Sequence, residues 1–135
     1  MITALYTSFL GILWLGLTMY VILGRWKYEV SLGDGGENDL NRRIRAHANF
    51  METVPFAVIL LWFGEMYVLI PHVVHSMGIA LVIGRILHAY GMLFRKHSTN
   101  RFRQTGMILT MTVMVIVSVW MCVGLVASLI EMNQI

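Results

Sequence analysis

Arg45, Asn49 and Glu52 recur at i, i+4 and i+7, with Arg42 one turn earlier. At helical spacing this puts two cations, an amide and a carboxylate on one stripe, a set able to hold a ligand that carries charges of both signs. Arg85 and His88, three residues apart, form a second polar face. Both sets are embedded in otherwise apolar sequence. A charge near the centre of a bilayer costs about 2.5–3.5 kcal/mol on the insertion scale, so the stripe must face protein or water, and ionisable groups at that depth mark function by default. Glu52 lies ten residues past Arg42, and Arg85 ten before Arg95. At 1.5 Å per residue each is roughly 15 Å in from the same boundary, so an internal Glu52–Arg85 ion pair is expected. Such a pair could serve only to set helix register. Arg45, Asn49 and His88, which extend the cluster towards the mouth, point instead to a binding role.

The elements that carry these residues follow from composition. Of 135 residues, 58% are hydrophobic and 13% charged, against about 45–50% and about 25% in a soluble domain. Four stretches are nearly free of charge, 1–24, 46–71, 72–94 and 104–130, and each meets the roughly 20 apolar residues that a membrane-spanning helix needs. The expectation is an all-α integral membrane protein, a single four-helix transmembrane domain over residues 1–135 with helices near 3–24, 41–66, 71–94 and 104–130. This excludes an appended soluble domain, a disulfide scaffold and, despite the net charge of +3, a nucleic-acid-binding module. Cys122, mid-helix among apolar residues, reads as packing. The first stretch has no basic residue ahead of it and exceeds the usual apolar core of a signal peptide, so it reads as a retained helix.

Nine of the ten basic residues, Arg25, Lys27, Arg42, Arg43, Arg45, Arg95, Lys96, Arg101 and Arg103, fall in the loops 25–45 and 95–103 or their margins. By the positive-inside rule these loops are cytoplasmic, and both termini, with the turn near Pro71, are non-cytoplasmic. The Gly- and Asp-rich run Ser31 to Asn38 supplies turns and caps before the second helix. Pro71 suits the first turn of the third helix. Pro55, inside the second, should kink it or expose the Met51 carbonyl. His72 and His75 lack a nearby carboxylate or Cys and read as interfacial. His47 is expected to contact a neighbouring helix or subunit, and Trp14, Trp26, Trp62 and Trp120 to join interfacial belts. No metal site is expected.

The run from Arg42 to Phe56 (RRIRAHANFMETVPF) resembles the signature of the MAPEG family, the membrane-associated proteins in eicosanoid and glutathione metabolism, which has an Arg, Ala, Asn and Glu at these spacings. Gly84 to His88 resembles the family's third helix, and Arg101 to Arg103 stands where the family has an arginine opening the fourth. The short loops look like the bacterial branch. The resemblance implies a homotrimer of four-helix subunits in the inner membrane, with glutathione as co-substrate between neighbouring subunits near the cytoplasmic side. It implies that Arg45, Asn49 and Glu52 hold the glutathione backbone and its charged ends, that Arg42, Arg85 and His88 complete the pocket, and that Arg25 and Lys27 reach in from the adjacent subunit. Arg103, with Arg101 as alternate, is the implied catalytic cation, since a nearby cation favours the thiolate. The sequence departs from several animal members in having Met92 where they carry a tyrosine one turn beyond the position of His88.

The function expected is a glutathione-dependent membrane transferase or peroxidase that attacks lipophilic electrophiles or hydroperoxides reaching it from the membrane lipid. The alternatives are a non-catalytic lipid- or glutathione-binding protein and a small four-helix exporter. An exporter of cations would want Glu52 unpaired, whereas Arg45 and Arg85 are expected to surround it.

Overall fold

The computed structural model describes residues 1–95 and 100–133, so Lys96 lies outside the described residues. Four helices account for nearly all of it: α1 (Ile2–Tyr28), α2 (Asn38–Tyr67), α3 (Pro71–Phe94) and α4 (Arg101–Met132). Each is long and apolar enough to span a membrane, and the fold is an all-α membrane bundle. Three of the four run further at the basic end than their apolar cores do. α1 continues a turn past Gly24 with Arg25 and Lys27 in its last turn, where cations suit the unpaired carbonyls. It ends at Glu29 in the left-handed region, φ 54°. The turn that follows uses Gly33, Gly35 and Gly36 at positive φ, and Asp34 accepts from Gly36 N at 3.0 Å and from Asn41 Nδ2 at 2.6 Å. α2 then runs unbroken through Pro55, and Pro71 opens α3 in its first turn.

α2 and α3 form the centre. α1 packs on both from one flank and α4 from the other, and among the described residues α1 and α4 do not touch. Each helix buries one stripe: Thr3, Tyr6, Leu10, Leu17 and Gly24 on α1, and Gly106, Thr110, Val113 and Val117 on α4. Much of the rest of α4 faces outward within the chain, Cys122 included; the expected packing role is corrected, because Cys122 lies on the face of this outlying helix turned away from the core of the chain.

Where α3 and α4 cross, glycines set the distance. A Cβ on Gly106 would collide with Gly84 O and His88 N, and one on Gly84 would lie 3.0 Å from Gly106 O. Small residues at such crossings let backbones approach in a membrane, where packing rather than water exclusion holds helices together. At the end away from the arginines, Glu65 accepts from Ile2 N at 2.5 Å and Thr3 N at 2.8 Å, with the Met1 ammonium 4.0 Å away. A carboxylate here satisfies first-turn N–H groups of α1 and favours its positive dipole end. Tyr6 Oη pairs with His75 Nδ1 at 2.8 Å.

Candidate functional site

At the basic end, α2, the last turn of α3 and the first turn of α4 enclose a cavity of about 290 Å³ lined by Asn41, Arg42, Arg45, Asn49, Gly91, Met92, Arg95 and Arg103. The elements are tied together at its rim. Arg42 Nη1 donates to Arg95 O at 3.1 Å. Asn100 caps α4 by accepting from Arg103 N at 3.1 Å and reaches back to donate to Gly91 O at 2.9 Å. Gly91 must be glycine for this closure, since a Cβ there would lie 2.5 Å from Arg103 N. Arg103 is thus delivered to the cavity by its cap and by the close α3–α4 crossing.

Beneath the cavity wall lies a buried layer. Arg85 has no exposed surface; its Nη2 donates to Asn49 Oδ1 at 2.9 Å, and its guanidinium stands 5.6 Å from the Phe50 ring. Among the described residues, Arg85 Nε and Nη1 and His88 Nδ1 find no partner. Asn49 therefore links wall to interior, and Arg85 and His88 support the wall rather than line it.

The expected Glu52–Arg85 ion pair does not form within the chain: Arg85 bonds Asn49, and Glu52 is exposed on the outside of the bundle. The reason is helical phase. At about 100° per residue, Glu52 is rotated roughly 60° from Asn49, on the side away from the buried stripe of Ala46, Phe50, Val54 and Ala57. Arg45 is displaced the same way and is exposed too, yet its long side chain still reaches the cavity.

Of the remaining candidates, Arg101 is exposed and outside the cavity wall. Arg25 Nη1 donates to the carbonyls of Ser31 at 3.1 Å and Gly33 at 3.0 Å, organising the turn of its own chain. Lys27 donates to Tyr28 Oη at 2.9 Å, which in turn donates to Asp39 at 3.1 Å. Neither reaches the cavity of the same chain. His47 Nε2 lies 3.1 Å from Thr18 Oγ1, a contact between α2 and α1. Sequence reasoning passed over Asn41 and Gly91 as wall residues and treated Arg95 only as a loop cation. A signal existed: His88, Met92 and Arg95 stand at i, i+4 and i+7, and Asn41 is one turn before Arg45. Glu65 was also passed over, its role being set by the first turn of a distant helix.

Residues 3–124, from the first turn of α1 well into α4, match the MAPEG family. The chain belongs to the MAPEG family. It is 36% identical over 123 residues to the inner membrane protein YecN of Escherichia coli strain K12, an alignment covering 89% of this chain and 92% of that protein. The YecN of Escherichia coli O6:H1 strain CFT073 aligns with the same figures.

In this MAPEG chain the guanidinium groups around the cavity are able to hold an anion. Guanidinium groups form paired, directional bonds to carboxylates and keep their charge throughout the accessible pH range. An amide beside them can donate and accept. A thiol held among such cations loses its proton more easily, and the thiolate is the nucleophile. On the outer face of α1 and α2, two adjoining apolar grooves run from Trp14, Phe50 and Pro55 to Met1 and Trp62, sharing Thr7 and Val58.

Proposed function

We propose that this protein is a glutathione-dependent transferase or peroxidase of the inner membrane, acting on lipophilic electrophiles or hydroperoxides drawn from the bilayer. The observation that carries the reading is the convergence of Arg42, Arg45, Asn49 and Arg103 on one cavity at a single end of the bundle. Glutathione carries two carboxylates and an ammonium. Arg42, Arg45 and Asn49 hold the carboxylate ends, and Arg103 stabilises the thiolate. The thiolate sulfur then forms a bond to the electrophilic carbon, and the leaving group departs with its electron pair. With a hydroperoxide, sulfur attacks oxygen, and a second glutathione completes reduction to alcohol, water and glutathione disulfide.

The same reading takes the molecule to be a homotrimer. Glu52, exposed within a membrane-spanning helix of the single chain, is then covered by a neighbouring copy and serves as counter-charge to the glutathione ammonium, with Arg25 and Lys27 arriving from that copy. Light scattering that finds only monomer in mild detergent removes this part.

A non-catalytic binding protein is the second reading. It is favoured by Met92, which lines the cavity with a group that neither donates nor ionises. Calorimetry of glutathione on the detergent-purified protein, followed by a conjugation assay, separates the two. Binding with conjugation supports the enzyme, binding alone supports the carrier, and no binding ends both. In the enzyme, Arg103→Ala raises the pKa of the bound thiol, read from thiolate absorbance against pH, and slows conjugation while affinity stays within a few fold. A collapse of affinity with an unchanged thiol pKa makes Arg103 a carboxylate clamp instead.

A further inference from the structure

Arg42, Arg45, Arg95 and Arg103 place four guanidiniums around the cavity, and among the described residues no Asp or Glu lines it. Bound glutathione, with two carboxylates and one ammonium, leaves this wall with a large excess of positive charge. An anionic headgroup that brings no ammonium also suits it, and its phosphate oxygens accept from guanidinium donors.

The surroundings place such a group within reach. The Arg95 guanidinium stands 4.7 Å from the Phe102 ring and 5.5 Å from the Tyr90 ring. Tyr90 meets Phe102 edge-on at 5.3 Å and Phe94 at 5.5 Å. Phe94 continues to Tyr20 at 6.4 Å, and Tyr20 lies under the Arg43 guanidinium at 3.8 Å. All four helices thus contribute to one belt of rings and cations, with Tyr90, Phe94 and Phe102 turned outward. Aromatic belts of this kind settle at the headgroup level of a bilayer, where clustered arginines attract anionic lipids. Arg95 belongs to both belt and cavity, so the cavity opens at the depth of the lipid phosphates.

We propose that the cavity receives the phosphate of an anionic phospholipid, and that this lipid competes there with glutathione, so that the leaflet's composition sets how much of the protein is available for the thiol. Only the competition rests on the glutathione reading; lipid binding stands on the cavity and belt alone.

The test is retention of lipid by the whole protein in native mass spectrometry, from micelles holding equal phosphatidylglycerol and phosphatidylcholine. Phosphatidylglycerol is retained preferentially, and Arg95→Ala lowers the preference about fivefold. That substitution keeps the Arg42 bond, whose acceptor is the backbone carbonyl of residue 95. Arg45→Ala, at an exposed position, lowers the preference similarly and serves if Arg95→Ala does not fold. Glu37→Gln changes the charge of the same end by the same amount, at an exposed position outside the cavity, and leaves the preference unchanged. Equal retention of the two lipids overturns the proposal. So does a rise of the same size in Glu37→Gln, which makes the effect a diffuse surface field, or binding of inorganic phosphate by calorimetry with no lipid retained, which makes the ligand a free anion. In nanodiscs, replacing part of the phosphatidylcholine by phosphatidylglycerol weakens glutathione binding several fold. An unchanged affinity overturns the competition, whereas no glutathione binding in either bilayer overturns the enzyme reading and leaves the lipid result standing.

Discussion

Asn49 connects the exposed wall of the cavity to a guanidinium that has no contact with solvent. Its Oδ1 accepts from Arg85 Nη2, while Arg85 Nε and Nη1 find no partner among the described residues. A buried donor left unmade costs about 1–3 kcal/mol, and hydrogen bonds to charged groups contribute about 1.5–3 kcal/mol. Asn49→Ala is therefore expected to destabilise the protein by about 2 kcal/mol. Paired with Arg85→Leu in a double-mutant cycle on unfolding in detergent, it should show a coupling of about 1 kcal/mol or more, the value of one such bond. Glu52→Gln and Arg85→Leu should add independently, within about 0.5 kcal/mol. A larger coupling for the second pair than for the first would restore the ion pair that the geometry does not form.

At the scale of the elements, the α3–α4 crossing governs the site. Gly84 and Gly106 are in backbone contact, and Arg103 lies less than one turn before Gly106. Because the atoms that a Cβ on Gly106 would strike are backbone atoms of α3, no side chain can swing aside, and the helices must part. Gly106→Ala is expected to cost about 1–3 kcal/mol, as overpacking does, and to raise the pKa of the bound thiol because Arg103 moves with α4. Gly16→Ala is the matched control: nothing lies within 4 Å of its Cβ position, and alanine there should be neutral or stabilise by up to about 1 kcal/mol. Melting temperature and thiolate absorbance against pH on the two variants decide the matter; equal effects at both sites would show that the crossing does not position Arg103.

For the whole molecule, the up-and-down order of the helices puts the start of α1, the end of α4 and the turn before Pro71 at the end opposite the cavity, with Met1 beside Glu65 and Gly124 against Val68. The loop arginines and lysines cluster at the other end. Since cytoplasmic loops retain Lys and Arg, the cavity is expected to open to the cytoplasm with both termini outside. A C-terminal alkaline phosphatase fusion should be active and a C-terminal fluorescent protein dark. The reverse pattern would invert the molecule and place the cavity on the side away from cytoplasmic glutathione.

The number of helices, their approximate limits, the basic end and the stripe of Arg42, Arg45 and Asn49 were all legible in the sequence, because each depends on local properties: runs of apolar residues, the count of charges between them and the helical repeat. Pro71 at a helix start and the Gly-rich turn were legible for the same reason. Partnership was not. Glu52 and Arg85 matched in depth, but depth along a helix says nothing of rotation about it, and a phase difference of roughly 60° gave the bond to Asn49. Arg25, which looked like a ligand-binding cation, is held by carbonyls of its own turn, since the nearest acceptors are those the chain itself brings back. Glu65 caps a helix more than sixty residues away in sequence, and Arg95 joins the cavity only because Asn100 folds α4 back onto Gly91. Sequence decides which segments enter the membrane and at what depth their charges lie, because insertion energetics act on each helix alone. Only packing decides which of those charges meet, because that depends on how each helix is rotated against its neighbours.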